Sequence, residues 1–178
     1  GVVRSMMDAH LIVWGAREPS QQGIAQQLGR AFEGTTADWR VSDNIVGEMW
    51  EKVAFLCTLA SMTCLMRASV GDILATPDGS AMLKRAFEAN ALIAAKSGHP
   101  ISDAFRARAE KVLSTAGAPL TASMLRDLES GGRVEADHIV GFMLGKARGL
   151  SIDDAMLSIA YTHLRAYENR RARGALPA

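Results

Sequence analysis

The sequence has only two cysteines, Cys57 and Cys64, which limits covalent stapling of the fold. If both lie on one helix, their α-carbons are about 10.5 Å apart, because each residue adds 1.5 Å along the axis. A disulfide requires α-carbons closer than about 7 Å. We therefore predict two free, buried thiols and a cytoplasmic location, because the cytosol keeps thiols reduced.

The sequence also lacks an excess of charge of one sign, and it is poor in aromatic residues. It has 20 Lys and Arg against 19 Asp and Glu, a net charge of +1, and only 6% aromatic residues. This balance excludes a broad electrostatic surface for nucleic acid or an anionic membrane, and so few rings exclude a base-stacking platform. One small anion-binding pocket stays compatible with it.

Long hydrophobic runs are absent as well. No uncharged run exceeds 14 residues, the length of VAFLCTLASMTCLM, whereas a helix that crosses a bilayer needs about 20. No signal peptide is visible at the start of the sequence. We therefore expect a buried core helix over residues 53–66 and no membrane partner.

Standard motifs for nucleotide and metal binding are missing too. The sequence contains no GxGxxG, no GxxxxGK[ST] and no GxSxG. No two of its four histidines have the i, i+4 spacing of a helical metal site, and His138 beside Asp137 is typical of a surface position. We expect neither coenzyme-binding residues nor a metal site in this chain.

A strand–helix–strand pattern fills the first 42 residues. Residues 10–16 and 38–42 are predicted strands, and residues 20–33 are a predicted amphipathic helix with Ile24, Leu28 and Phe32 on one face. Two strands and a helix do not form a stable sheet alone. Because the sequence also begins without Met, we interpret residues 1–42 as the end of a larger α/β domain.

From residue 43 onward the pattern is helical throughout. Helices are predicted over about 43–66, 78–97, 102–113, 121–129, 135–148 and 152–171, followed by a frayed basic tail. Ser42 or Asp43 is the expected N-cap of the first and Ser151 that of the last, while Gly98 is expected in the αL conformation. The predicted fold class is mainly α, with residues 43–178 forming a helical domain.

Lys52 is the first candidate for chemistry, because it precedes the uncharged stretch of the 43–66 helix. Partial desolvation there would lower its pKa and suit it to proton transfer. The alternative is a lysine whose ammonium reaches into water. Thr63 lies about 20° from Lys52 around the helix, and Thr58, Ser61 and Thr63 are expected to bond back to i−4 carbonyls.

The densest polar stretch of the sequence contains Ser123, Asp127 and Glu135. A helix that starts near Ser123 would end at a Gly-Gly turn, and Glu135 would begin the next helix. This arrangement brings a hydroxyl and two carboxylates to neighbouring helix ends. The alternatives are a capping hydroxyl for Ser123 and a first-turn charge for Glu135.

Two sequence patterns resemble a known family. The first is SDNIVGEMWEKVAFLCTLASMTCLMRASVGDIL, with lysine two residues after tryptophan, and the second is SMLRDLESGGRVEADHIVGFMLGKARG. Together they resemble the C-terminal domain of ketopantoate reductases (2-dehydropantoate 2-reductases), over about residues 9–171. The early run that ends in Trp14-Gly15 resembles the end of that family's Rossmann domain. The resemblance implies a multi-helix domain like the C-terminal part of 6-phosphogluconate dehydrogenase.

The resemblance also implies an activity and residue roles. The family reduces ketopantoate to pantoate with NADPH in pantothenate and coenzyme A biosynthesis. Lys52 matches the lysine that is general acid toward the ketone oxygen, and Glu135 matches a glutamate near that lysine. Ser123 matches a serine that binds the substrate. Asp127 matches an aspartate that is frequent in the same motif of the family. The partner is then a small 2-keto acid.

Several positions depart from the family pattern. Leu56, Ala60 and Val70 stand where family members carry asparagines, and Val134 replaces a threonine. Apolar side chains cannot select a hydroxylated substrate as amides do, so a more apolar 2-keto acid is an alternative to ketopantoate. The family's glycine-rich coenzyme loop lies before the part that this sequence matches.

Two other functional classes stay open at this point. One is a non-catalytic helical interaction module or ligand-binding module, which the missing coenzyme loop and asparagines would fit. The other is an unrelated helical regulator that uses the basic residues at 165–173. A homodimer is also expected, because an incomplete sheet has open edges.

Overall fold

Two compact units make up the chain, Gly1–Met49 and Trp50–Ala178. The computed structural model describes residues 11–175. Outside the described residues lie His10, which is the first residue of the first predicted strand, and residues 176–178 of the predicted tail. The assignment of residues 1–42 to a dinucleotide-binding domain and of residues 43–178 to a substrate domain stays a prediction.

The first unit contains the predicted strand–helix–strand arrangement. Strand β1 is Leu11–Gly15, helix α1 is Gln22–Phe32 and strand β2 is Asp38–Ser42. The strands are parallel, in a register that pairs Leu11 with Asp38 and Gly15 with Ser42. A parallel pair requires a crossover, and α1 supplies it. The ring of Trp14 packs against those of Phe32 and Trp39, at centroid distances of 5.0 and 5.6 Å.

The predicted apolar face of α1 is only partly correct. Ile24 and Leu28 are 70% and 42% exposed, whereas Ala25 and Gly29 are buried. Small residues form the buried face of α1 because the Trp39 ring lies close to the helix. A Cβ on Gly29 would come within 3.4 Å of that ring. A sheet of two strands has no further surface for the larger side chains.

Helix α2, Ile45–Met66, begins in the first unit and continues into the second. The predicted N-cap, Ser42 or Asp43, is wrong. The N-cap is Asn44, whose Oδ1 accepts a hydrogen bond from the Gly47 N–H at 3.2 Å. The Ser42 hydroxyl instead donates to Glu48. The cap therefore lies closer to the first helical residue than expected.

Six further helices follow α2 within the described residues. They are α3 Val70–Leu74, α4 Gly79–Lys96, α5 Asp103–Leu113, α6 Ser123–Glu129, α7 Phe142–Gly149 and α8 Ala155–Ala172, with a π-helical turn at Asp137–Gly141. Together they confirm the mainly α fold class. Gly98 has φ +90°, as expected for a C-terminal αL residue.

The predictions for these helices differ from the structure at three points. Helix α3 was not expected, and Ser151 does not cap α8. Ser151 has φ +54° two residues after the end of α7, and α8 begins only at Ala155. The helix predicted over 135–148 is also interrupted by the π-helical turn.

The core of the second unit forms around α2. Cys57, Met62 and Thr63 on this helix are fully buried, together with Phe87 and Ile93 of α4. By length and composition α2 could cross a membrane, but half of its apolar window is buried inside the protein. Its hydropathy is therefore explained by its place in the core.

Candidate functional site

Four residues define one strip along α2: Lys52, Leu56, Ala60 and Thr63. They lie within about 80° around the helix and extend about 16 Å along it. Lys52 is exposed, Leu56 is half-buried, and Ala60 and Thr63 are buried. The strip is therefore open to solvent at Lys52 and covered at Thr63. The exposure of Lys52 fits the solvated alternative better than desolvation.

The hydroxyls of α2 bond largely as expected. Thr58 and Thr63 donate to the carbonyls of Ala54 and Leu59, at 2.9 and 2.8 Å. Ser61 differs, because its Oγ lies 3.9 Å from the sulfur of Cys57. Both cysteines are free, and burial raises their thiol pKa values to about 12. These groups are structural and inert at neutral pH.

Ser123 lies at the covered end of the α2 strip. The N–H of its neighbour Ala122 donates to Thr63 Oγ1 at 3.3 Å, which docks the start of α6 there. Ser123 is not the capping residue, because α6 begins at Ser123 and Ala122 occupies the cap position. Its exposed hydroxyl makes no hydrogen bond within residues 11–175.

Asp127 takes part in the turn that follows α6 through its backbone. Its carbonyl accepts hydrogen bonds from the Gly132 N–H at 2.7 Å and from Ser130 Oγ at 3.0 Å. The carboxylate is exposed. Both bonds are made by the backbone, so the role of the Asp127 side chain stays a prediction.

Glu135 lies just before the π-helical turn, in the segment 132–137. Its exposed side chain lines a cleft of about 340 Å³ together with Arg133, Val134, Asp137 and His138. Within the described part of the chain, its carboxylate has no hydrogen bond and no ion pair. Among residues 11–175, Glu135 is thus an unpaired side chain that lines a small cleft.

Helix α8 contacts both sides of Glu135. The Tyr167 hydroxyl donates to the Gly132 carbonyl at 2.6 Å, and the Val134 N–H donates to Glu168 at 2.7 Å. On the other side, the Tyr161 hydroxyl donates to the Asp137 carboxylate at 2.7 Å, and the Arg165 guanidinium donates to it at 2.9 Å.

The contacts of α8 give the aspartate and the glycine of the motif E-x-D-x-I-x-G, residues 135–141, a structural role. Asp137 is the partner of Tyr161, and its hydrogen bond raises the pKa of that phenol. A Cβ on Gly141 would lie 2.9 Å from the Tyr161 ring, so only glycine admits this approach. The α8 residues were missed in the sequence because their partners lie 24 to 35 positions away.

A second cleft of about 580 Å³ lies on the outer face of α7. Gly145, Lys146 and Leu150 line it, with Ser97 at its wall. The Lys146 ammonium lies 5.9 Å from the Trp50 ring centroid and 5.7 Å from that of Phe142. Trp50 also stacks on His99 at 5.4 Å. This cluster was not predicted from the sequence.

The structure does not join the four predicted site residues in one hydrogen-bonded network. Within residues 11–175, Lys52 has no hydrogen bond or ion pair to Ser123, Asp127 or Glu135. The described residues contain no group of three or more His, Cys, Asp or Glu able to hold a metal. The connection between β1 and α1 carries a 3-10 turn, Pro19–Gln21, rather than a glycine-rich loop.

Among curated proteins, the chain is similar to oxidoreductases. It is 29% identical over 168 residues to an uncharacterized oxidoreductase, YkpB, of Bacillus subtilis, covering 94% of this chain and 55% of that protein. It is also 29% identical over 141 residues to the 2-dehydropantoate 2-reductase of Salmonella typhimurium, covering 78% and 45%. The chain thus spans about half the length of the curated relatives it matches.

Solved structures show the same fold. A ketopantoate reductase family protein from Ralstonia eutropha superimposes with a TM-score of 0.77 at 19% identity, over 92% of this chain and 53% of that one. A dimeric ketopantoate reductase from Staphylococcus aureus gives 0.73 at 22%, over 83% and 52%. A D-mandelate dehydrogenase with NADH and anilino(oxo)acetate gives 0.74 at 16%, over 89% and 52%.

A family model decides the assignment. Residues 44–168 match the model for the C-terminal domain of ketopantoate reductase (PanE/ApbA). This range covers all the helices from α2 to most of α8, and it contains Lys52, Ser123, Asp127 and Glu135. The chain belongs to the ketopantoate reductase family, whose C-terminal domain it carries.

Proposed function

We propose that this chain is the substrate-binding and catalytic part of an NADPH-dependent 2-keto acid reductase. One observation carries the proposal. Within the family's C-terminal domain, Lys52, Ser123 and Glu135 are exposed and have no side-chain partner in the described residues. Polar side chains that the fold does not use are available to a substrate.

Lys52 would act as the general acid. A reduced nicotinamide coenzyme supplies hydride when it is bound. As negative charge develops on the ketone oxygen, a nearby ammonium stabilises it and donates the proton that completes the hydroxyl group. Glu135 would interact with the same lysine or with substrate hydroxyls, and Ser123 would bind the substrate. Asp127 would support the turn between Ser123 and Glu135.

The connection between β1 and α1, within the described residues, does not fit the phosphates of the coenzyme. The β1–α1 connection has no glycine-rich turn, and its 3-10 turn begins with Pro19, which has no N–H to donate. We therefore assign no residue here to NADPH. Its choice over NADH is inferred from the family resemblance.

The substrate we favour is a 2-keto acid more apolar than ketopantoate. The half-buried Leu56 stands next to Lys52 on the α2 strip, and Ala60 and Val70 are buried. The Val70 N–H donates to the Leu120 carbonyl at 2.9 Å, so this residue belongs to the core. A strip without amides gives little selectivity for substrate hydroxyls. D-mandelate dehydrogenase, with a similar fold, supports such a substrate.

Two further properties belong to the same proposal. A homodimer is supported by the dimeric Staphylococcus aureus enzyme of the same fold. A cytoplasmic location is supported by the two buried, free thiols. Membership of an enzyme family does not favour the alternative of a non-catalytic helical module.

The experiment is a panel of 2-keto acids assayed with NADPH on the complete protein. Ketopantoate and apolar 2-keto acids are compared in wild type, in Lys52→Ala and in the control Lys84→Ala, which removes another exposed lysine. We expect Lys52→Ala to reduce kcat by about 10²- to 10⁴-fold, which is typical of losing a general acid. An unchanged rate would reject the role of Lys52, and no turnover by wild type would reject the function.

A further inference from the structure

The segment 132–137 has few hydrogen bonds of its own. The Gly132 N–H donates to the Asp127 carbonyl, and the next helical bond reaches Glu135 from the Ile139 N–H at 3.3 Å. The backbone N–H of Val134, between these points, donates to the side chain of Glu168 on α8. A loop without internal bonds keeps one conformation only where other elements hold it.

Helix α8 holds this segment with a charged group that is itself held in place. Arg171 donates from Nε and Nη2 to Glu168 Oε2, both at 3.2 Å. Burial of Glu168 opposes its charge, but the Val134 N–H and Arg171 outweigh that effect and keep its pKa below the ordinary value. Glu168 is therefore an ionised acceptor, and hydrogen bonds to ionised acceptors are stronger than neutral ones.

The anchored positions on both sides leave the Glu135 side chain itself without a hydrogen bond or ion pair in the described residues. Tyr167, itself 7% exposed, fixes the Gly132 carbonyl, and Asp137 is fixed by Tyr161 and Arg165. Val134 is buried beside it, at 6% exposure. The backbone around Glu135 is thus restrained at Gly132, Val134 and Asp137, while the Glu135 side chain lines the 340 Å³ cleft.

We infer that Tyr167 and Glu168 are positioning residues, which hold the backbone of residues 132–135 so that the Glu135 carboxylate meets the substrate. This inference rests on the proposed function for its catalytic purpose. Neither residue touches the reacting atoms; each acts through Glu135. The anchoring itself can be measured without any turnover.

The first measurement is hydrogen exchange of the backbone amides of residues 133–136 in this chain. We expect Glu168→Ala to speed exchange of the Val134 amide by about tenfold or more, because a hydrogen bond to a charged group is lost. Glu168→Gln keeps an acceptor oxygen and should restore most of the protection. The matched control is Asn169→Ala, the next residue on α8, whose side chain is exposed.

The second measurement is the steady-state kinetics of the complete protein. We expect Glu168→Ala and Tyr167→Phe to lower kcat by about tenfold with KM changed less than threefold, and Glu168→Gln to recover most of kcat. If these residues served only the stability of the fold, kcat would not fall selectively relative to KM, and Glu168→Gln would not recover kcat. Amides of α2 and α4 must exchange as in wild type, which shows that the fold is intact.

The two measurements separate the failure of this inference from that of the proposed function. If Glu168→Ala leaves both the Val134 amide and kcat unchanged, or if Asn169→Ala has the same effects, α8 does not position Glu135. If the wild type reduces no 2-keto acid, the proposed function and the catalytic purpose of the anchor both fall. The exchange result then still decides whether α8 holds this segment.

Discussion

The imidazole of His163 on α8 is partly buried, and its Nε2 atom has no hydrogen-bond partner within the described part of the chain. Burial first, and the charge of Arg67 second, lower its pKa below the ordinary value of 6.5. Protonation therefore favours the unfolded chain, which binds the proton at a higher pH. The stability that this group contributes is complete above about pH 6.5 and is lost as the pH falls toward the folded-state pKa.

We expect His163→Gln to reduce the loss of unfolding free energy between pH 7.5 and pH 5.5, measured by urea denaturation. His138→Gln is the matched control, because it makes the same substitution at an exposed histidine. Equal pH dependence in His163→Gln and wild type would show that burial of this imidazole has no thermodynamic effect.

At the same scale, the sequence predicts residues whose neighbours are close along the chain. The bonds of Thr58 and Thr63 to i−4 carbonyls follow from helix geometry alone. The role of Glu168 does not, because the Val134 N–H that it accepts lies 34 positions away. The candidate residues were found by pattern, but what holds Glu135 required the fold.

Among the elements, α5 begins with a cap that also connects it to α2. Ser102 Oγ accepts from the Phe105 N–H at 3.2 Å, and the same hydroxyl donates to Glu51 Oε1 at 2.6 Å. The backbone N–H of Ser102 donates to that oxygen as well, at 2.9 Å. One serine thus closes the helix end and joins two helices of the second unit.

We expect Ser102→Ala to lower the free energy of unfolding by about 1 kcal/mol, the usual cost of losing an N-cap. Chemical denaturation measures this change, with Ser80→Ala as the control for an exposed serine that has no such bond. Equal stability of the two variants would mean that neither the cap nor the link to Glu51 contributes.

Element ends are where the sequence predictions fail most. Helices α2, α4 and α5 were expected within a few residues of their observed bounds, because their apolar periodicity extends over several turns. Helix α3 has only five residues, too few for a periodic pattern, and is defined by a capping box between Ser69 and Asp72. The π-helical turn depends on Tyr161 packing against Gly141, which is a tertiary contact.

For the whole molecule, the mainly α class and the strand–helix–strand start were predictable from composition and periodicity. Which helix faces are buried was harder to predict, as the exposed Ile24 and Leu28 illustrate. Burial of a side chain depends on which other elements are present to cover it. Apolar surface on a two-stranded sheet is typical of an incomplete layer. The same incompleteness bears on coenzyme binding.

We expect the 178-residue chain to have no measurable affinity for NADPH, with a Kd weaker than about 1 mM in calorimetric titration. Tight binding of a dinucleotide needs a glycine-rich turn that lets backbone N–H groups approach the pyrophosphate at a helix N-terminus. The β1–α1 connection, residues 16–21, contains no glycine, and its 3-10 turn starts at Pro19 instead. The complete protein is the positive control, and we expect it to bind NADPH. Micromolar binding by the chain alone would show that residues of α1 to α8 form a coenzyme site, and it would overturn the assignment of the coenzyme to another part of the protein.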